Sequence, residues 1–342
     1  MTLATTRDEG RFTALDGLRG VAALGVLLYH IADWSGRRGH FAHGYLAVDF
    51  FFCLSGFVLA HAFERRRIGF WPYLVARWVR VWPMLFIATV AGALLTGRPN
   101  VETVVDVLKG LLLIPKFAPM EAGTFPSLFP FNPLAWSLCL EVLVSLAWFP
   151  LRRAPDMAII MFVLLSGAAL LFVAVGMGGL QTGWDQATFG LGVLRASFPF
   201  AIGWLCWRHR GSFAARKAWV PAALLLTVLV LPVWPTRVAN GLYDFACATL
   251  LFPVLVLLGA YDPGGRLARW CERLGGVSYP LYALHWAFWY VMISIYPNGW
   301  KRDLPLWFCV LAFFVLPAAS WAAWRWVETP LRTWLKRVTH AL

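Results

Sequence analysis

Residues 15–30, LDGLRGVAALGVLLYH, set an arginine and a histidine into a run that is otherwise almost wholly apolar. As a helix the run crosses much of a bilayer whose hydrocarbon is about 30 Å thick, and lipid excludes both side chains. Arg19 and His30 stand eleven residues apart, which is close to three helical turns and roughly 16 Å of rise. They therefore share one stripe of the helix, the arginine near one membrane face and the histidine in the opposite half. Ionisable groups inside a membrane face a bundle interior or a wet cavity, so the stripe is expected to line a cavity seen by both. An arginine this near a helix end has the alternative of snorkelling to the headgroups.

The rest of the chain shares that character. Of its 342 residues 60% are hydrophobic and 14% charged, with a mean hydropathy of +0.66, too little polar surface for a soluble globule of this size. Runs long enough to span fall at about 14–34, 44–63, 78–97, 135–152, 156–176, 187–207, 218–235, 240–260, 277–296 and 305–325. The expected fold class is an all-α polytopic membrane protein of about ten transmembrane helices. A further apolar stretch, 103–116 (TVVDVLKGLLLIPK), is shorter and carries Asp106 and Lys109, so it is expected to be re-entrant or interfacial. The Pro- and Phe-rich remainder of 98–134 predicts an irregular cap on the membrane. The chain reads as a single transmembrane domain, with a segment 1–13 before the first span, a tail 326–342 after the last, and no fused soluble domain.

A net charge of +13 raises the question of nucleic acid. The basic residues cluster between apolar runs rather than along a polar face or tail, so no nucleic-acid partner is expected. With both termini placed in the cytoplasm, twenty of the 30 Lys and Arg residues fall on the cytoplasmic side and eight on the other, Arg19 and Arg195 lying within spans. That excess is the positive-inside rule; counting 103–116 as a true span would invert every later loop. The six cysteines stand apart, without a CxxC pair or metal-ligand spacing, so no metal site is expected.

Two groups of polar residues could carry chemistry. The fourth span enters as NPLAWSLCLE, which sets Glu141 at about the depth of His30, and Asp49 in the second span lies at a similar level. A neutral histidine with a carboxylate partner is a way to fix one tautomer and build a general base; the alternative is a polar cluster that only joins helices. Ser137, one turn before Glu141, is a candidate donor to an oxyanion or a packing residue. At the cytoplasmic mouth, ARWVRVWP puts Arg77 and Arg80 at i, i+3 on the helix entering the third span, level with Arg19. Three guanidiniums there suit a polyanion such as a nucleotide diphosphate, which arginine grips bidentately; ordinary anchoring on the positive side is the alternative. Trp34, Trp71, Trp136, Trp234, Trp300 and Trp307 fall near predicted span ends, where an aromatic belt is expected.

The blocks LDGLRGVAALGVLLYH, GYLAVDFFFCLSGFVL, ARWVRVWP, WSLCLE, GGVSYPLYALHW and RWVETPLR occur in this order along nearly the whole chain. Together they resemble the signature blocks of the membrane-bound acyltransferase 3 family, sugar and polysaccharide O-acyltransferases. Its Arg-x10-His and Arg-x-x-Arg hallmarks are matched by Arg19 with His30 and by Arg77 with Arg80. The resemblance implies ten transmembrane helices, an acyl-coenzyme A donor, commonly acetyl-coenzyme A, on the cytoplasmic side, and an acceptor, usually a glycan, on the other. It implies donor contacts for Arg19, Arg77 and Arg80, a general-base role for His30 with Glu141 or Asp49 orienting its ring, and a place for Ser278, Tyr282 and His285 along the donor path or at helix contacts. Glu328 is given a structural role with Arg325 or a mouth arginine. The stretch VLVSLAWF after Glu141 departs from the aromatic pair often found there.

The expected function is O-acyl transfer, most simply O-acetylation, in a bacterial inner membrane, with no tightly bound cofactor. Expected partners are acyl-CoA, a glycan, polysaccharide or lipid-linked sugar acceptor and the lipid bilayer, with a polysaccharide synthesis complex or a homodimer as further candidates. The competing class is a proton-coupled transporter or flippase of a surface-glycan or lipid precursor. Such a carrier usually shows paired broken helices in two repeats, and the sequence has no such pair.

Overall fold

A chain this apolar has one way to satisfy its backbone away from water, which is helix, and every element among the described residues of the computed structural model is helical. Those residues are 12–37, 39–64, 68–97, 100–117, 127–210, 219–296 and 304–340. The elements are α1 (Thr13–Trp34), a 3-10 turn (Gly44–Leu46) leading into α2 (Ala47–Phe63), α3 (Phe70–Thr96), α4 (Val101–Leu111), α5 (Ala135–Leu151), α6 (Asp156–Met177), α7 (Phe189–Arg208), α8 (Trp219–Val230), α9 (Arg237–Ala246) joined by a π turn to α10 (Phe252–Leu258), α11 (Gly265–Ile295), and α12 (Leu306–Ala323) joined by a second π turn to α13 (Thr329–His340).

Each of the ten predicted runs coincides with a helix. By length and hydropathy, seven helices among the described residues are able to cross a membrane: those starting at Thr13, Gly44, Phe70, Asp156, Phe189, Arg237 and Leu306. Three elements explain the difference. Helices α5 and α8 are apolar but shorter than the rest, and α11 is 31 residues long but opens on the polar stretch GRLARWCERLGG. Boundaries also differ from expectation: α8 ends at Val230 rather than 235, and α11 starts at Gly265 rather than 277. Helix α3 starts at Phe70 rather than 78, so Arg77 and Arg80 lie two to three turns inside it instead of at its entrance. Helix α4, at eleven residues, covers about half the hydrocarbon thickness and lies against α3, where Gly110 meets Thr89. Lys116 ties its carboxylates down, at 2.6 Å from Asp106 and 2.9 Å from Glu102. The hydrogen bonds to Asp106 and Glu102 push the Lys116 ammonium above its ordinary range, while Lys116 holds the Glu102 carboxyl below its own. Of the tryptophans placed in the belt, Trp71, Trp234 and Trp307 are exposed, whereas Trp34 is buried and stacked on Trp289 at 5.0 Å; Trp300 lies outside the described residues.

Small residues decide which helices touch. Helices α1 and α11 run side by side in the same direction, with Gly17 against Cys271, Gly20 against Leu274 and Gly275 against Asp16; a Cβ at any of the three would stand 2.6–2.8 Å from its neighbour. Helices α2 and α7 run oppositely and cross where Gly56 meets the Phe200 carbonyl and Gly203 the Cys53 carbonyl, with room for a Cβ of only 2.0 and 1.9 Å. Small-residue seams of this kind let backbones approach in the absence of a hydrophobic driving force. Outward faces remain greasy: Leu94 and Phe172 are each 82% exposed, a surface that only lipid can cover. The close α2–α7 crossing yields an expected outcome: Gly203→Ala lowers stability by about 1–3 kcal/mol through overpacking, read as a lower thermal midpoint of the purified protein in detergent. A midpoint equal to that of the unsubstituted protein would show that the two backbones do not meet at this glycine.

Candidate active site

The α1–α11 seam carries the polar stripe of α1 past five helices, and the interior divides into two chambers. The inner chamber encloses about 850 Å³ between α1, α2, α3, α5 and α11. Its polar wall is Arg19, Ser55, Arg77, Arg80, Glu141 and Ser278; its remaining wall, from Val48, Phe51, Phe52, Leu54, Val58, Val81 and Leu138, is apolar. Arg19 is fixed by α11, donating from Nε to Ser278 Oγ (3.0 Å) and from Nη2 to the Gly275 carbonyl (2.9 Å), with Asp16 at 3.1 Å. Arg77 is buried and donates to Glu141 Oε1 at 2.7 Å, an oxygen that also accepts from Ser55 at 2.8 Å. Arg80 faces the chamber exposed and makes no ion pair among the described residues. Three guanidiniums are thus met by two carboxylates, Asp16 on Arg19 and Glu141 on Arg77, which leaves one positive charge in excess for an anion to neutralise.

The outer chamber encloses about 1840 Å³ and is bordered by Tyr29, His30 and Asp33 of α1, by Trp136, Gln181, Trp184 and Asn240, and by Trp286 of α11. His30 is half-buried among rings, 5.0 Å from Tyr29, 5.2 Å from Trp286 and 5.0 Å from His285, centre to centre. Val48 and Tyr282 border both chambers. Arg19 and His30 therefore share a stripe, as expected, but look into two chambers with a thin wall between them rather than into one cavity.

Tyr282 and Val48 stand between the chambers, and Ser137, which borders only the inner one, holds Tyr282. Ser137 Oγ lies 3.2 Å from the Leu134 carbonyl and 2.6 Å from Tyr282 Oη. A carbonyl only accepts, so the serine proton goes to Leu134 and the tyrosine donates to Ser137. The proton wanted for an oxyanion is committed to a backbone carbonyl. Phe51 packs edge-on against the Tyr282 ring at 6.0 Å.

The two carboxylates expected beside His30 are placed elsewhere. Glu141 sits in the inner chamber with Arg77, because α5 faces α3 at this level. Asp49 is fully buried and holds Arg195 of α7 bidentately, at 2.8 Å to Nε and 2.6 Å to Nη2; the same guanidinium donates to the Thr182 and Tyr45 carbonyls. This pair ties α2 to α7 and leaves Asp49 no part in orienting an imidazole. The carboxylate that borders the chamber with His30 is Asp33, one turn further along α1. Its i, i+3 spacing was present in the sequence, as were Arg195 and Asp49, two intramembrane charges of opposite sign. His285 is 1% exposed and lies beside His30, outside the lining of the chamber that holds Arg19, Arg77 and Arg80. Glu328 is buried and pairs with Arg332 at 3.2 Å, not with Arg325.

The sequence model of the acyltransferase 3 family, described as "Acyltransferase domain", matches residues 12–324. The chain belongs to this family, and with its apolar helices it is an integral membrane protein and an O-acyltransferase by family. It is 35% identical over 187 residues to "Protein 2 in picA locus" of Rhizobium radiobacter, a match covering 48% of this chain and 94% of that one. It is 34% identical over 121 residues to "Exopolysaccharide production protein ExoZ" of Rhizobium meliloti (strain 1021), covering 34% and 36%. Over 371 aligned positions it is 25% identical to "Putative peptidoglycan O-acetyltransferase YrhL" of Bacillus subtilis (strain 168), covering 96% of this chain and 56% of that one. The chain thus spans about a third and about half the length of the last two. No solved structure matches.

The Asp49–Arg195 pair supplies a test of its role. Removing one partner strands a buried charge, so Arg195→Met is expected to cost about 3–5 kcal/mol, while the double substitution with Asp49→Leu recovers most of it. Thermal unfolding of the three proteins in detergent reads this directly; equal losses in single and double variants would mean the pair does not act as a unit.

Proposed function

We propose that the protein transfers an acyl group, acetyl in the first instance, from acyl-coenzyme A engaged at the cytoplasmic side to a hydroxyl of a glycan or exopolysaccharide on the extracytoplasmic side. In this reading ten helices span a bacterial cytoplasmic (inner) membrane, both termini are cytoplasmic, and residues 1–342 act as one transmembrane domain. The observation that carries it is the pair of chambers meeting at Tyr282, one lined by Arg19, Arg77 and Arg80 and the other by His30. The words exopolysaccharide and peptidoglycan in the names of two relatives support a glycan acceptor, as does an outer chamber that mixes tryptophans with carboxylate and amide groups.

The residues divide the work by position. The exposed guanidinium of Arg80 and the anchored one of Arg19 hold phosphate oxygens, charge-assisted contacts that arginine makes in pairs. Glu141 keeps Arg77 extended and partly neutralised. The apolar wall from Phe52 to Leu138 accommodates the uncharged arm of the donor, and the roughly 16 Å rise from Arg19 to His30 is spanned by that arm, with the Tyr282 ring displaced to admit the thioester. At the outer end His30 takes the proton of the acceptor hydroxyl as the hydroxyl oxygen attacks the thioester carbonyl. The carbon–sulfur bond then breaks, the new ester leaves with the glycan, and the proton on His30 passes to the departing sulfur.

Membranes carrying the unsubstituted protein, His30→Ala or Arg80→Ala, given labelled acetyl-coenzyme A and a cell-surface glycan extract, test the assignment. Loss of the base lowers transfer by about 10²-fold or more, whereas Arg80→Ala raises the donor KM by about tenfold with a smaller change in kcat. Unaltered transfer by His30→Ala would overturn the mechanism.

A further inference from the structure

His285 lies on α11 one turn beyond Tyr282, against the helix that carries His30. Its Nδ1 is 2.9 Å from the Leu281 carbonyl. A carbonyl has no proton to give, so Nδ1 carries the hydrogen and a neutral ring presents its lone pair on Nε2. That atom is buried and has no hydrogen-bond partner, in a side chain only 1% exposed. A buried acceptor left without a donor is uncommon and calls for an explanation in function or binding. The rings packed around it are His30 at 5.0 Å, Tyr282 at 6.1 Å and Trp34 at 6.2 Å. The Tyr282 hydroxyl is engaged with Ser137. Trp34 Nε1 is also buried without a partner, but its ring lies further from His285, at 6.2 Å against 5.0 Å for His30. His30 is thus the nearest ring with an N–H to give, and a centre-to-centre distance of 5.0 Å is about what two imidazoles take when joined by one N–H···N bond of about 2.9 Å.

We propose that His285 is the positioning residue of His30: its Nε2 accepts an N–H of His30 during turnover, and so fixes which His30 nitrogen faces the acceptor hydroxyl. The inference rests on the reading of His30 as the base. It fills the place in which a carboxylate was expected, now that Glu141 is bound to Arg77 and Asp49 to Arg195. The chemistry balances without any further reactant. One His30 nitrogen keeps its hydrogen, shared with His285; the other takes the hydroxyl proton and returns it to the sulfur of the departing thiol. The acceptor is neutral: an imidazole already tethered to Leu281 orients the ring and disperses the positive charge that appears for the length of one step.

Asparagine and glutamine at position 285 separate this role from a structural one. The amide of asparagine reaches the Nδ1 position and retains the Leu281 contact while removing the acceptor; glutamine reaches the Nε2 position and restores an acceptor oxygen there. Labelled acetyl transfer to the glycan extract is measured with purified unsubstituted protein, His30→Ala, His285→Asn and His285→Gln, each normalised to the fraction that elutes as folded protein on size exclusion. The expected result is a drop in kcat of about 10²-fold for His285→Asn with donor KM within about twofold, and recovery of at least about tenfold by His285→Gln. Asparagine performing as well as glutamine, or a raised donor KM with intact kcat, would assign His285 to helix packing or to the donor path and overturn the proposal. If both variants fold poorly, the ratio of their turnover per folded molecule still separates a positioning role from a packing one. Transfer that survives in His30→Ala, or is missing from the unsubstituted protein, instead strikes the acyltransfer mechanism itself, and the positioning role falls with it; loss in His30→Ala beside full activity in both His285 variants strikes the positioning role alone.

Discussion

The approach of α1 to α11 is the contact on which the rest of the interior depends. Gly17, Gly20 and Gly275 remove the side chains that would hold the two helices apart, and the resulting parallel pair places the chemistry in register. Arg19 meets Ser278 and the Gly275 carbonyl at one end; His30 meets His285 and Trp286 at the other. A bulkier residue at any of the three glycines would push the inner ends apart and cost Arg19 its anchors before it cost the helix its fold. The seam is thus a device for aiming side chains as much as for packing helices. Small-residue contacts are the economical route to both in lipid, where apolar area alone gives helices no reason to associate.

Charge inside the bundle sorts by whether it is answered. Arg195 is met by both oxygens of Asp49 and by two carbonyls, which occupy four of its five N–H groups and join α2 to α7. Arg77 is half answered by Glu141, and its Nε is buried without a partner. Arg80 stands in the inner chamber without an ion pair among the described residues. An arginine without a counter-charge in a site this apolar is costly to maintain, and the gradient from closed to open runs toward the inner chamber. That gradient distinguishes a helix fastener from a ligand contact more sharply than proximity does.

Much of this was legible from the chain itself. Periodicity and hydropathy located every helix that corresponds to a predicted run, and the eleven-residue spacing from Arg19 to His30 put them on one stripe. The choice of partners was not legible, because depth in a bilayer is one coordinate and contact needs three. Glu141, Asp49 and His30 were expected at one level, yet Glu141 lies in the chamber of Arg19 and pairs with Arg77 of α3, and Asp49 pairs with Arg195 of α7. The wall between the chambers was equally hidden, since Ser137 and Tyr282 are 145 residues apart and neither carries a charge to announce the pairing. The deeper position of Arg77 and Arg80 followed from a helix start, Phe70 rather than 78, since the helix begins with aromatic residues and a proline ahead of the apolar run.

The thin wall at Tyr282 is what a transmembrane acyl transfer needs if it is to avoid a leak. Two chambers joined by an open passage would let water reach a thioester held between them, and hydrolysis would compete with transfer. A wall of several residues would place the carbonyl out of reach of His30. One phenol, hydrogen-bonded to one serine hydroxyl, flanked by Phe51 and with Val48 also bordering both chambers, would meet both demands if its rotation admits the thioester as proposed, the helices staying where the glycine seams hold them. The Tyr282 hydroxyl would lose only a neutral hydrogen bond in that rotation, worth about 0.5–1.5 kcal/mol net. Under the proposed function, donor binding and opening of the wall would be coupled through α11, the helix that carries both Ser278 beneath Arg19 and Tyr282 one turn above it.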